Sequence, residues 1–291
     1  MNYFFIVNPA SGRGKGRSVG RELEERLQYL NLDYQLEFTK APGHAIELAE
    51  KATRSFECIV AVGGDGTLNE VVNGMAESEA TLGLLPVGSG NDFARAVSLQ
   101  SKLDDALNVL LRGKTKRVDL GKANGRYFHN GVGIGFDAWV VHTSQKVKRL
   151  RGNAIYLYSV IKTLWKYKPV PLHLQYNGQT HTDEYFMITV GNGQSLGGGF
   201  FLTPKAELDD GLFDICTIRN MPTASILRNL LKVYQGTHTE DPRVDIVRSD
   251  RLQVQTERSF AVHLDGELFS LKLNELNVEI VPGAVDVVCD A

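Results

Sequence analysis

An amino-terminal α/β domain with a parallel sheet, residues 1–120, followed by a mainly antiparallel β-sandwich domain, residues 121–291, is the fold class this sequence predicts. Three observations predict it. Over the first 120 residues, short apolar runs at 3–7, 34–38, 58–62 and 82–87 alternate with amphipathic segments, the order that builds a parallel sheet with helices on both faces. Gly and Asx residues gather just after these runs, at 8–16, 63–67 and 88–92, and in such sheets ligands sit beyond the carboxyl ends of the strands. Beyond Gly121 the texture changes to period-two alternation, the mark of half-buried antiparallel strands.

The elements follow in order. The first helix carries Val19, Leu23, Leu27 and Leu30 on one face, the second Ala45, Ile46, Leu48, Ala49 and Ala52, the third Leu68, Val71, Val72 and Met75. In the second half Val170, Leu172, Leu174 and Tyr176 lead into Asn177-Gly178 and out through Phe186, Ile188 and Val190, a hairpin pattern. Strand-like runs at 213–219, 251–255, 260–264, 268–273 and 278–281 are interrupted by helical stretches near 137–167 and 223–235. No repeat or low-complexity linker separates the halves, which predicts direct packing with an active site in an interdomain cleft.

Composition limits the functions. The chain has 291 residues, 43% of them apolar, which excludes disorder as its main state. Its 32 Lys and Arg against 34 Asp and Glu give a net charge of -2, with no global pull toward nucleic acid. No apolar run approaches the roughly 18 residues a membrane span needs, so a cytoplasmic protein is expected. Cys58, Cys216 and Cys289 stand apart in strand-like runs and read as buried free thiols, and no transition-metal spacing is present.

The chemistry concentrates in the loops. Gly63-Gly64-Asp65-Gly66-Thr67 joins an apolar strand to a helix, and its glycines let backbone amides approach an anion while the helix start adds partial positive charge. Asp65 would repel a phosphate about 4 Å away by roughly 4 kcal/mol at an effective dielectric of 20. A bridging cation reverses that sign, so Mg2+ is implied; the plainer alternative makes Asp65 the N-cap of the helix. Asn8-Pro9-Ala10-Ser11-Gly12, with Arg13, Lys15 and Arg17 behind it, is a second phosphate-suited loop. Gly88-Ser89-Gly90-Asn91-Asp92 is a third and adds the carboxylate of Asp92, its alternative being an Asx turn capping a helix. Neither the P-loop nor the dinucleotide fingerprint occurs.

Taken with Phe93, Leu68-Asn69-Glu70, Ala206-Glu207-Leu208-Asp209-Asp210-Gly211 and Leu264-Asp265-Gly266-Glu267, these segments resemble the diacylglycerol kinase catalytic-domain family, nearest to its bacterial soluble lipid kinases. The glycine turn alone also resembles the nucleotide site of NAD kinases and phosphofructokinase. The resemblance implies ATP contacts from Asn8, Pro9, Ala10, Ser11, Gly12, Thr39, Gly63, Gly64, Asp65, Gly66, Thr67, Leu68, Asn69 and Ser89. It implies a magnesium network through Asp65 and Asp92, and a second magnesium site in which Asp210 joins main-chain carbonyls near Glu207 and Leu212. A hairpin turn is the alternative for that segment. The same resemblance puts the proton acceptor at Asp265 or Glu267, which sequence alone does not separate.

The function so implied is ATP- and Mg-dependent phosphorylation of a lipid hydroxyl, diacylglycerol to phosphatidic acid foremost. An NAD kinase-like enzyme and a non-catalytic nucleotide- or lipid-binding regulator are the alternatives. Lys146, Lys148, Arg149 and Arg151 precede the aromatic Tyr156, Tyr158, Trp165 and Tyr167, a composition suited either to the inner membrane face or to a core-facing helix with snorkelling lysines. Gly197-Gly198-Gly199 and Phe200-Phe201 read either as lining for a lipid head group or as a surface loop, and His44 as a helix-start residue. The oligomeric state stays open, a homodimer included.

Overall fold

The computed structural model describes residues 1–100, 102–147 and 153–290. The chain forms two compact units, one of Met1–Leu120, Arg126–His129 and Val281–Ala291, the other of Gly121–Gly125 and Asn130–Ile280.

In the first unit β1 (Tyr3–Val7), β2 (Tyr34–Phe38), β3 (Cys58–Gly63) and β4 (Thr81–Pro86) lie in the order β2-β1-β3-β4, all parallel. Every residue of β1 and β3 is buried, as continuous apolar runs in a sheet covered on both faces require. Helices α1 (Lys15–Leu27), α2 (His44–Ala52), α3 (Asp65–Met75), α4 (Asp92–Ala96) and α5 (Leu103–Arg112) connect and follow the strands. The apolar stripes are the buried faces: Leu23 and Leu27 on α1; Ala45, Leu48, Ala49 and Ala52 on α2; Leu68, Val71, Val72 and Met75 on α3. Leu30 falls beyond the end of α1. His44 does open α2, whose start is capped from a neighbouring helix: Glu70 of α3 accepts the Gly43 and Ala45 amides at 2.8 and 3.1 Å, placing a negative charge at a helix N-terminus.

The chain continues through β5 (Thr115–Ala123), β6 (Arg126–Phe128), β7 (Gly131–Gly135), α6 (Phe136–Gln145), α7 (Asn153–Leu164), β8 (Val170–Tyr176), β9 (Gln179–Gly191), β10 (Phe213–Arg219), α8 (Thr223–Val233), β11 (Val244–Ser249), β12 (Arg251–Leu264) and β13 (Glu267–Val288). In the second unit the pairs β11-β10, β10-β9, β9-β7, β7-β12 and β12-β13 are all antiparallel. The long strands β9 and β12 each pair with β8 over one part and with β7 over another. The β8–β9 turn is the Asn177-Gly178 pair, both left-handed at φ 50° and 72°, the conformation a two-residue hairpin needs.

By contact, residues 126–129 and the chain from Val281 on fall in the first unit. Val287 pairs in parallel with Leu82 of β4, so the chain's end enters the first sheet. Period-two alternation marks such a segment as strand without saying which sheet it joins.

The core of the second unit gathers Phe136, Val140, Val160, Phe186, Met187 and Phe200 among others. Phe136 stacks on Phe186 with ring centroids 4.4 Å apart. Phe136→Ala should therefore cost about 3–5 kcal/mol of unfolding free energy, read as a lower denaturant midpoint at unchanged slope. Cys58, Cys216 and Cys289 are buried free thiols, and burial pushes the Cys58 and Cys216 thiols up to about 12. No helix among the described residues is long and apolar enough to cross a membrane.

Candidate active site

The three loops come from the carboxyl ends of β1, β3 and β4. Asn8 follows β1, its amide donating to the Val62 carbonyl at 3.0 Å, and its side-chain amide reaches the Thr67 hydroxyl at 2.9 Å. The Ser11 hydroxyl lies 3.3 Å from that same oxygen, so the first and second loops are stitched through Thr67. Thr39 donates its amide to Val7 at the end of β1. The second and third loops meet backbone to backbone: a Cβ on Gly64 would stand 3.0 Å from the Gly88 Cα, and one on Gly88 would stand 2.6 Å from the Gly64 Cα. Two glycines are what this approach requires. The amides of the first turn of α3 are those a helix leaves without an intrahelical acceptor, the kind of helix start that suits an anion.

Within this frame Asn8, Ser11, Gly12, Gly64, Asp65 and Gly66 are partly accessible and Ala10 and Ser89 exposed. Leu68 and Asn69 are buried. Each is 1% exposed. The Leu68 amide is spent on Gly64, and the Asn69 side chain donates to the Tyr127 carbonyl and accepts from Arg126. Their side chains support the turn from behind rather than line it.

Asp65 is not the N-cap. That position is Gly64, without a side-chain cap, and Asp65 instead accepts the Asn91 amide at 2.8 Å, bridging the second loop to the third. Asp92 is likewise no cap; it lies in the first turn of α4 behind a left-handed Asn91 and pairs with Arg95. A Cβ on Gly90 would sit 2.7 Å from Asp65 Oδ2 and 3.7 Å from Asp92 Oδ2, so both carboxylates look onto one place. Among the described residues no group of three or more His, Cys, Asp or Glu side chains is disposed to hold a metal ion. Two hard carboxylates completed by phosphate oxygens nevertheless suit Mg2+, which binds through one or two carboxylates plus substrate. Asp65 and Asp92 carry the donor type that ion takes, with Asp65 Oδ2 also holding the Asn91 amide and Asp92 also paired with Arg95.

The Asp210 group does not fit it as it stands. Asp210 Oδ1 accepts the Leu212 amide at 3.0 Å, its other oxygen pairs with Arg248, and Arg248 Nε also lies 3.4 Å from Asp214. A guanidinium thus lies between two carboxylates, one of them the Asp210 carboxylate expected to join the main-chain carbonyls near Glu207 and Leu212. Burial first, then the charge of Glu207, pushes the Asp214 carboxyl up.

Asp265 and Glu267 flank the β12–β13 turn and separate sharply. Asp265 is buried and left-handed at φ 49°. Its Oδ1 accepts the amides of Asn130 and Gly131, both at 2.9 Å, and its own amide donates to Gly131. Glu267 is exposed. One carboxylate is committed to backbone; the other faces solvent.

Sequence reasoning missed Arg95, Arg248, Asn130 and the buried Asp137 and His263 that stand beside this turn. Only the glycines alternating in β7 signalled a crowded neighbour there.

A family model for the diacylglycerol kinase catalytic domain matches residues 2–123, and one for the YegS C-terminal NAD kinase beta sandwich-like domain matches 130–289. The chain is 31% identical to the diacylglycerol kinase of Bacillus subtilis (strain 168), over 90% of its own length and 88% of that protein's. For the diacylglycerol kinase of Staphylococcus aureus (strain MRSA252) the values are 32%, 94% and 89%. A crystal structure from Bacillus anthracis str. Sterne, described as a "putative diacylglycerol kinase", matches with TM-score 0.83 at 27% identity, covering 99% of this chain and 97% of that one. Yeast NADH kinase complexed with NADH, at TM-score 0.58 and 10% identity over 100% of this chain and 84% of that one, shares the fold alone. Matched along nearly its whole length by relatives above 30% identity, the chain belongs to the diacylglycerol kinase family.

Proposed function

We propose that this protein transfers the terminal phosphate of ATP to a lipid hydroxyl, diacylglycerol being the acceptor and phosphatidic acid the product. The observation that carries the reading is the convergence of Asn8, Gly64, Thr67 and Gly88 at the carboxyl ends of three parallel strands, in a chain whose relatives are named diacylglycerol kinase. The NAD-kinase alternative has behind it the resemblance of the glycine turn and a fold likeness at 10% identity. Nor does a non-catalytic regulator account for the carboxylates retained at Asp65, Asp92 and Glu267.

In this mechanism the loop amides and the start of α3 hold the phosphates, and Asn8 and Ser11 fix the Thr67 hydroxyl. Asp65 and Asp92 would hold Mg2+, which when bound offsets the negative charge of the phosphates. Glu267 accepts the proton of the attacking hydroxyl, because Asp265 is spent on two amides and Glu267 is exposed. The oxygen forms its bond to the γ-phosphorus as the bond to ADP breaks. The decisive assay is labelled ATP with Mg2+ and a lipid panel; labelled phosphatidic acid is expected, and label in no lipid, or in NADP, would remove the reading.

Access to such an acceptor is the role we assign to the outer face of α7 and the residues that directly follow it. Trp165 is 85% exposed and Leu157 and Ile161 about half, with Lys162, Lys166 and Lys168 beside them. Trp139, His142 and Lys146 line the same depression as those lysines, whereas Lys148, Arg149 and Arg151 lie outside the described residues. At about 1 kcal/mol per Lys near an anionic surface, Lys162→Glu with Lys166→Glu should weaken co-sedimentation with phosphatidylglycerol vesicles by more than tenfold. The KM for ATP should stay put.

A further inference from the structure

The turn that carries Glu267 is pinned from two sides, and the second pin is a buried pair that the mechanism above does not use. Gly266, left-handed at φ 82°, donates its amide to His263 Nδ1 at 3.2 Å. His263 is 4% exposed, and its Nε2 lies 3.3 Å from Asp137 Oδ2, with Asp137 itself 7% exposed in the first turn of α6. The other Asp137 oxygen accepts the Ala138 amide at 2.9 Å. Gly133 of β7 makes room for the pair: a Cβ there would stand 2.0 Å from Asp137 Oδ2 and 2.1 Å from His263 Nε2.

Hydrogen bookkeeping fixes the state of this histidine. An Nδ1 that accepts the Gly266 amide carries a lone pair, so the ring proton of the neutral imidazole sits on Nε2. There it stands 3.3 Å from Asp137 Oδ2, a buried carboxylate oxygen with no hydrogen-bond partner among the described residues, so what links the two is charge at close range and not a formed hydrogen bond. The opposite tautomer would set an Nδ1 hydrogen against the Gly266 hydrogen and a bare Nε2 lone pair against the carboxylate. Both contacts would be repulsive.

We infer that Asp137 holds His263 in its Nε2–H tautomer so that His263 can pin the Gly266 amide and with it the adjoining Glu267. His263 and Asp137 are thus positioning residues for phosphoryl transfer. The inference rests on the reading of Glu267 as the base.

Substituting Asp137 by Asn tests it with little change of shape. The Ala138 amide requires an oxygen on its side of the new side chain, which turns the NH2 toward His263 Nε2. An NH2 there donates to Nε2 and drives the ring proton to Nδ1, against Gly266. Asp137→Asn should lower kcat about 10- to 100-fold, the usual cost of losing a group that orients another, with the KM for ATP within about twofold. His263→Asn keeps an acceptor oxygen near the place of Nδ1 and has no tautomers. It should lose no more than about threefold, and in that background Asp137→Asn should add almost nothing, a strong coupling in a double-mutant cycle. An unchanged kcat in Asp137→Asn, or an equal cost in both backgrounds, would overturn the inference.

Nitrogen NMR of the His263 ring reads the same geometry without turnover. Wild type should show the proton on Nε2, and Asp137→Asn should move it to Nδ1. A wild-type proton on Nδ1 would overturn the inference even if Asp137→Asn failed to fold. The expected tautomer in a protein that phosphorylates no lipid would instead overturn the functional reading alone.

Discussion

Glu267→Gln should lower kcat for lipid phosphorylation by roughly 10²–10⁴-fold, the range a positioned general base contributes, while leaving the melting temperature and ATP binding unchanged. The side chain is exposed, so the amide disturbs little packing. Asp265→Ala should do the reverse in kind. It removes an acceptor from two buried amides, those of Asn130 and Gly131, each costing about 1–3 kcal/mol when left unmade. It also puts a residue with less tolerance for the left-handed region at φ 49°. Asp265→Ala is therefore expected to unfold several degrees earlier, with activity falling alongside the folded fraction. Thermal melts and single-turnover kinetics on both variants separate the roles. A stable but inactive Asp265→Ala beside an active Glu267→Gln would exchange them.

That separation was not legible in the sequence, and the reason is physical. Two carboxylates in one hairpin differ only in which of them points inward, and that depends on β7, a strand whose composition hides it. Gly131, Gly133 and Gly135 obscure that strand because glycine weakens strands. Gly133 stands where any side chain would overlap Asp137 and His263. The phosphate loops were legible for the opposite reason. Apolar runs buried on both faces end where the chain must turn, and the Gly and Asx residues that follow report the turn directly. Asn177-Gly178 was legible for the same cause, two left-handed residues between alternating strands. Leu68 was legible as a core residue from its phase alone. The helical phase shared by Leu68, Val71, Val72 and Met75 already placed that face in the core. Arg248 was invisible because its partners Asp210 and Asp214 lie far from it in sequence and only the β10–β11 pairing brings it to them.

The magnesium argument makes a prediction whose sign is its test. Asp65 adds negative charge to a turn built for phosphate, so in the absence of a cation its neutralisation should speed transfer or leave it unchanged. With Mg2+ held by Asp65 and Asp92, neutralisation should instead slow transfer, by about 10³-fold if the lost charge stabilisation matches that of one preorganised electrostatic contact. Asp65→Asn isolates this effect from folding. An Asn side-chain oxygen still accepts the Asn91 amide that now bridges the second and third loops at 2.8 Å, so the melting temperature should hold. The apparent Mg2+ requirement should rise in Asp65→Asn, and again in Asp92→Asn, where Arg95 also loses its partner. Because both carboxylates look onto the same place at Gly90, the two substitutions should be less than additive in kcat. An Asp65→Asn variant as active as the parent, at any Mg2+ concentration, would leave Asp65 as the tie between two loops and nothing more.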